Sequence, residues 1–421
     1  MANEDVASVD RTPRDDAVER AVAAGDSLRL VPPAVTPVSM RDVIQGVRSH
    51  RRGVGRDEFR TAVASLLDAR AAATYTSYRG ALSACFGRLA ADDPGRDTVL
   101  IPAFASQDFA AAIERVGLSV ARYDVDPETL SMDLASVETA ISPDTLALVS
   151  VALLGYPSPM PEVSRFCATR PFALVEAVGY ALGSTVDGSP LGSFGDYAVL
   201  NFQEGKPIPV GGGMVVSRDD DALTDAGRPA AAPNVGTLAG YAAFSRPLAY
   251  RAYAAVSGVL ERLESEREHL TTHATSPAGT DTSSPGPTMS NFQGAVGRRV
   301  LDRREGARRR RAETARYYRT HLDDVGQVDH VRPLAALEHH QYVRYPLLLA
   351  SSQLRADVKH ALRRAGVQTS AIYDWPPLES DRYPGAAAVQ RRILTLPTHP
   401  YTRDRDRRRI VRTIRDVVDR S

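Results

Sequence analysis

Residues 97–125 read DTVLIPAFASQDFAAAIERVGLSVARYDV. The opening DTVLIPAF (97–104) is an apolar run of strand length, without the alternation of a strand that has one wet face. FAAAIERVG (109–117) then spaces its apolar residues as a helix does, and SVARYDV (119–125) is a strand again. The pattern continues downstream with a helical 133–141, the strand LALVSVALL (146–154), a helical 159–169 and the strand FALVEAV (172–178). Upstream, DEFRTAVASLLDAR (57–70) sets Phe59, Val63, Leu66 and Leu67 on one helical face. An extended 72–76 then leads into a helical Gly80–Leu89. Strands apolar on both faces, alternating with helices, predict an α/β fold built on a parallel sheet covered on each side.

A length of 421 residues, 43% of them apolar, predicts two or three structural units with a sizeable core. The 52 basic and 51 acidic residues balance, which argues against a protein that wraps a polyanion. Cys85 and Cys167 are too few for a disulfide framework or a thiolate zinc site. The first 25 residues lack the apolar stretch of a signal peptide, and no run of 18 apolar residues predicts a membrane span. A cytoplasmic protein is expected. Of the 52 basic residues only Lys206 and Lys359 are lysine. Where arginine serves almost every generic positive charge, a surviving lysine is a candidate for chemistry that arginine cannot do, since arginine does not lose its proton.

Residues 1–37 are polar, with Pro32, Pro33 and Pro37 near their end, and read as a flexible N-terminal arm. Residues 38–270 form the large domain, which closes with a helical stretch near 238–266. TTHATSPAGTDTSSPGPT (271–288) has the composition of a mobile loop or linker. Residues 289–421 read as a smaller α+β domain. It holds a long Arg-rich helix (292–321), a strand around Tyr342–Leu349, a helix at 352–365 and a closing helix after Thr402.

The chemistry concentrates in GSFGDYAVLNFQEGKPIPVGGGMVVS (192–217). A strand, Tyr197–Phe202, runs into a polar turn presenting Lys206. Pro207 and Pro209 stiffen the exit, and Gly211–Gly213 allow close backbone approach before strand Met214–Ser217. A lysine on a constrained turn at a sheet end suits a Schiff base with an aldehyde. The alternative is a surface lysine in a glycine-rich turn, and the scarcity of lysine sets the two readings level.

The chain resembles the DegT/DnrJ/EryC1/StrS family of fold-type-I, pyridoxal-phosphate-dependent sugar aminotransferases, from about residue 40 to 415. VLIPAFASQDFAAAIERVGLSVARYDVDPETLSMD (99–133) is similar to that family's strand, helix and "VDVDP-T" segment, and LLGYPSPM (153–160) to its "LYG-P--M" turn. GSFGD (192–196), followed by an aromatic strand and a lysine, resembles its most specific block. MSNFQGAVG (289–297) and LTLPTHPYT (394–402) resemble "MS--QAA-G" and "LPLHP--T". The resemblance implies a mostly parallel seven-stranded sheet in the large domain, a small C-terminal domain, and a homodimer with shared active sites. It implies pyridoxal 5'-phosphate as cofactor, and amino transfer from an amino acid, glutamate foremost, to a keto-sugar nucleotide. Lys206 falls on the family's Schiff-base lysine, which also shuttles the proton. Asn201 falls on a phosphate-binding serine, and its amide can donate a hydrogen bond there too. TSYRGAL (76–82), with Arg79 and Gly80, falls on the "GT-AL" phosphate cradle at a helix start. Arg79 replaces the threonine and can pair with phosphate, the alternative being a capping or surface arginine.

Other positions depart from the family. Its "EDAAQ" strand reads EAVGY (176–180). The aspartate that keeps the pyridine nitrogen protonated is Ala177, and Glu176 beside it should face the opposite side of the sheet. The glutamine is Tyr180, the ring-stacking aromatic is Ser106, and the histidine before "LYG" is Ala152. Four changes in one pocket raise two alternatives to the aminotransferase: a catalytically weakened member acting as a binding or partner subunit, or a pyridoxal-phosphate enzyme with non-transaminase chemistry.

Elsewhere, Arg308–Arg311 is interleaved with Glu305 and Glu313 on a helix and reads as a solvated face, with no nucleic-acid role. Tyr241, Phe244, Leu248 and Tyr253, in the helical stretch 241–263, read as a packing face against the core or a partner subunit, the alternative being a face that lies on a membrane surface. His339, His340 and His399 have no metal-ligand spacing, and Trp375 stands near the segment that lines the family's substrate mouth.

Overall fold

The computed structural model describes residues 29–219, 223, 235–252, 254, 287–372 and 377–421. In chain order the strands of the large domain are β1 (Ala71–Tyr75), β2 (Thr98–Pro102), β3 (Ser119–Tyr123), β4 (Thr145–Val151), β5 (Ala173–Ala177), a short hairpin β6 (Thr185–Val186) and β7 (Ser189–Pro190), then β8 (Tyr197–Asn201) and β9 (Gly213–Ser217). Seven of them form one sheet in the order β1-β9-β8-β5-β4-β2-β3. The run β8-β5-β4-β2-β3 is parallel, and β9 is antiparallel to both of its neighbours. This is the α/β sheet that the alternating pattern predicts.

Both faces are covered, which is why the strands read as unbroken apolar runs. One face carries α3 (Tyr78–Asp92) and α4 (Gln107–Arg115), with Leu82, Phe86, Phe109 and Ile113 packed on Val99, Val149, Val175 and Val199. The other face carries α1 (Met40–Arg51), α2 (Arg56–Leu66) and α6 (Met160–Ala168), the last following α5 (Leu134–Ala140). There Phe59, Val63, Met160 and Val163 meet Leu100, Leu148, Leu174 and Leu200. Burying each such side chain contributes about 1.5–3 kcal/mol. A further helix, α7 (Val235–Phe244), packs beside α1.

Two helices follow, α8 (Asn291–Asp302) and α9 (Arg304–Leu322). The sequence assigns α8 to the small domain, but it packs on α1 and α2, with Phe292, Val296 and Val300 in the core of the large sheet. The two helices replace the single one expected over 292–321. The break falls at Arg303, whose guanidinium, with that of Arg299, holds the buried carboxylate of Asp42 on α1 at 2.6 and 2.9 Å. Burial pushes the Asp42 carboxyl up, but the hydrogen bonds from Arg303, Ser39 and Arg299 hold it well below the usual carboxylate range. A smaller C-terminal unit, whose core α9 shares, holds β10 (Val328–His330), β11 (Leu337–Glu338), β12 (Arg344–Leu349), α10 (Ser352–Arg364), α11 (Pro384–Arg392), β13 (Ile393–Pro397) and α12 (Asp404–Val418). Its sheet is β10-β12-β13, and β11 joins the β6–β7 hairpin.

The arm expected to be flexible over 1–37 is described from residue 29, and residues 29–37 are docked. Val31 donates to Gly366 O and accepts from Gln368 N, both at 2.9 Å, and Arg29 pairs with buried Asp406 at 3.2 Å. The linker at 271–286, Tyr253 and Trp375 lie outside the described residues. No described helix is long and apolar enough to cross a membrane.

Candidate active site

The GSFGD block acts first as a clamp. Glu176 on β5 points to the face opposite Ala177, and its carboxylate accepts the backbone N–H of Gly192 at 2.9 Å, Phe194 at 2.6 Å and Gly195 at 2.8 Å. Gly192 has φ +100°, and a Cβ on Gly195 would stand 2.5 Å from Leu174 O, so neither position admits a side chain without strain. Asp196 closes the clamp, its carboxylate accepting from Leu174 N at 2.7 Å. Strand β8 is thereby fixed beside β5, and with it the turn that follows. Burial pushes the Glu176 carboxyl up to about 7, against the three N–H donors.

After β8 the chain turns on Asn201, whose Oδ1 accepts from Gln203 N at 2.8 Å while its Nδ2 donates to Gln203 Oε1 at 3.1 Å. Gly211 N then donates to Phe202 O at 2.7 Å and leads into β9. The turn presents Lys206 in a cavity of ≈190 Å³ at the carboxyl ends of the parallel strands, the usual place for a ligand in an open α/β sheet. Ala177, Gly179, Tyr180, Asn201, Ala152, Ser106, Asp108 and Tyr78 share that cavity. It lies below the about 300 Å³ of ordinary small-molecule sites, room for a reacting centre rather than a whole nucleotide sugar.

Lys206 Nζ lies 3.2 Å from the centroid of the Tyr180 ring. Burial lowers its ammonium below the usual lysine value, Tyr180 opposes that, and the Arg344 guanidinium adds to it. The Tyr180 hydroxyl, pushed up by burial, is drawn below its usual value by the Lys206 and Arg344 cations. Behind the turn, Thr36 Oγ1 donates to the carbonyl of Lys206 at 2.7 Å and in turn accepts from the buried Arg311.

Of the residues expected to hold a cofactor, Ser106, Tyr180, Asn201 and Lys206 line this one cavity. Ser106 serves as the N-cap of α4, its Oγ accepting from Asp108 N, so no aromatic plane stands there. Gly80 lies in the first turn of α3, donating to the capping Ser77 at 3.0 Å. Arg79 is not itself in the lining but pairs with Asp108, which is, at 2.9 and 3.1 Å, so a phosphate at the helix start would compete with that carboxylate for it. The sequence reading missed Thr36, Asp108, Arg311 and Arg344. Arg311, expected on a solvated face, is 1% exposed, and its neighbour Arg308 pairs with Glu305.

A phosphorylated pyridine aldehyde fits this site at one end. The amine of Lys206, the second N–H of the Asn201 amide and the start of α3 suit its aldehyde and phosphate. The end at Ala177, Val151 and Ala152 is apolar and offers no acid to a ring nitrogen. Cys85 and Cys167 are buried thiols whose burial pushes both up to about 12, so neither is poised as a nucleophile. His340 and His399 are buried, with burial pushing them down to about 3 and about 4. Among the described residues no group of three His, Cys, Asp or Glu is placed to hold a metal.

The sequence profile of the DegT/DnrJ/EryC1/StrS aminotransferase family matches residues 38–415. The UDP-N-acetyl-3-dehydro-alpha-D-glucosamine 3-aminotransferase of Acidithiobacillus ferrooxidans is 34% identical over 128 residues, 30% of this chain and 34% of that protein. The dTDP-4-dehydro-2,3,6-trideoxy-D-glucose 4-aminotransferase of Saccharopolyspora spinosa is 30% identical over 344 residues, 78% of each. Among solved structures, the PLP form of the putative sugar aminotransferase Spr1654 from Streptococcus pneumoniae superposes with a TM-score of 0.72 at 18% identity, over 93% of this chain and 99% of that one. The sugar aminotransferase CalS13 from Micromonospora echinospora does so with a TM-score of 0.69 at 24% identity, over 92% and 100%. At such identities the superpositions speak for the fold.

Proposed function

The chain belongs to the DegT/DnrJ/EryC1/StrS aminotransferase family, and on that premise we propose that it moves an amino group from an amino acid to a keto-sugar nucleotide, with pyridoxal 5'-phosphate as cofactor. The observation that carries this is the amine of Lys206, burial-depressed and set in the cavity at the strand ends. When bound, the cofactor supplies the carbonyl that takes up the amino group and a ring that draws electrons from the reacting carbon. The chain does the rest. The α3 start and the Asn201 amide orient the phosphate. Lys206 Nζ, once it has lost its proton, takes a proton from the amino-bearing carbon of the donor in one half-reaction and supplies one to the former carbonyl carbon of the acceptor in the other. The same reading places the protein in the cytoplasm, with small molecules and no nucleic acid as partners.

The test is the absorbance of the purified protein with added pyridoxal 5'-phosphate, before and after borohydride reduction. A visible band, a reduced adduct on Lys206 and loss of both in Lys206→Ala are expected, with the band changing when glutamate is added. Ala177 favours a second reading, a family member that binds without turning over. It would give the band and the adduct with no response to any amino acid. Absence of both band and adduct at saturating cofactor would overturn the enzyme reading.

We also propose a homodimer. Met40 and Ile44 on α1, with Phe244 at the end of α7 and the nearby Leu248, leave large apolar side chains exposed on two helices that pack together, Leu248 at 62%. Sedimentation is expected to give a dimer, and Ile44→Glu with Leu248→Glu a monomer. A wild-type monomer would sink the assignment.

A further inference from the structure

Tyr180 is the residue in contact with the Lys206 amine that has no counterpart in the family's motif. The face of its ring lies against Nζ, at 3.2 Å from centroid to nitrogen, and its hydroxyl, which Arg344 also approaches, favours the ammonium from the ring's edge. An aromatic face carries negative potential, so it favours a cation over a neutral amine at that spot, most strongly where water is excluded. Burial acts in the opposite direction and drives Lys206 toward the amine.

The other charged and titratable groups facing this lysine do not substitute for the ring. From β12, Arg344 opposes the ammonium, and its Nε and Nη1 are buried without a hydrogen-bond partner. From α4, Asp108 favours the ammonium but is committed to Arg79. Glu204, in the same turn, lines the outer cavity and is exposed. Behind the turn, Arg311 and Tyr241 meet Thr36, which holds the Lys206 carbonyl rather than its amine.

We propose that Tyr180 is a positioning residue whose ring face holds Lys206 as the ammonium, so that the lysine becomes a nucleophile only when a ligand lifts it from that face. The ring thus sets the resting protonation state of the one amine in the cavity. This bears on the lysine that the proposed amino transfer depends on, but it concerns the chain without cofactor or substrate, and its test is independent of that reaction.

Only Lys206 and Lys359 are lysines, and Lys359 is exposed on α10, far along the chain. Each sample therefore carries its own control. The full-length chain, freed of any carbonyl ligand with hydroxylamine, is acetylated with trace acetic anhydride across a pH series, and the label at each lysine is read by mass spectrometry. Tyr180→Phe keeps the ring. Tyr180→Leu and Tyr180→Gln, two variants of different polarity, remove it. The midpoint for Lys206 is expected to move little in Tyr180→Phe, which gives up only the hydroxyl, and to fall by about one pH unit in Tyr180→Leu and Tyr180→Gln. That shift makes Lys206 up to about tenfold more reactive below the midpoint, with Lys359 unchanged in all four proteins. A Leu or Gln variant titrating with the wild type would overturn the proposal. So would a Tyr180→Phe midpoint displaced as far as theirs, because the hydroxyl would then be the controlling group.

Discussion

Glu176→Ala is expected to destabilise the fold by about 3–5 kcal/mol, at about 1–3 kcal/mol for the buried N–H left without its acceptor and about 1 kcal/mol for each of the two partly buried ones. The carboxylate is 1% exposed and accepts from Gly192, Phe194 and Gly195, so the substitution leaves three backbone N–H groups without that acceptor, Gly192 in a buried position and the other two in partly buried ones. The alanine also opens a void on the α2 and α6 face of β5. Glu176→Gln keeps one acceptor oxygen for Phe194 and Gly195 but turns an amide N–H toward Gly192, and about half the loss is expected. Thermal or urea unfolding reads both. The wild type should also lose stability as pH rises from the ordinary carboxyl range near 4.5 to about 7. Across that window the folded protein binds the Glu176 proton more tightly than the unfolded chain does, so the slope of stability against pH is negative. Glu176→Gln should remove that part of the slope. An alanine variant as stable as wild type would mean that the GSFGD loop is held by other contacts.

The same residue shows what a sequence can tell about this site. That Glu176 and Ala177 face opposite sides of the sheet follows from the two-residue repeat of a strand, and β5 keeps that register against β4 and β8. The strands at 98–102, 145–151 and 173–177 were legible for a related reason: with both faces covered, burial requires apolar residues at nearly every position. Helix α1 was not legible, because MRDVIQGVRSHR is mostly polar. What fixes it is the pairing of Asp42 with Arg299 and Arg303, more than 250 positions away. The docked arm escaped notice likewise, its partners being backbone groups at 366–368 that no local pattern reveals. Within the site, Lys206 stood out because lysine is so rare here. Thr36, Arg311 and Arg344 reach the same turn from an arm, a helix and a strand that only the tertiary fold brings together, and each is an ordinary residue in its own segment.

Ala177→Asp is expected to have two effects of opposite sign, and their combination tests what the apolar end of the cavity lacks. Position 177 is 3% exposed and shares its end of the cavity with Val151 and Ala152. A carboxyl group placed there finds no donor, and leaving it without a partner costs about 1–3 kcal/mol, so the variant alone should melt below the wild type. Pyridoxal 5'-phosphate offers a basic ring nitrogen that such an acid can keep protonated. The cofactor should therefore stabilise the variant by more than it stabilises the wild type, by the amount that its affinity has risen. If amino transfer is limited by weak electron withdrawal, the rate with glutamate should rise by about 10²-fold, the lower end of what a well-placed acid contributes. A variant that melts lower and gains neither cofactor affinity nor rate would show that the ring nitrogen does not lie at Ala177. One that gains affinity without rate would show that the nitrogen lies there and that the barrier to turnover is set elsewhere in the pocket. That second outcome would favour the reading in which this family member binds its ligands without converting them.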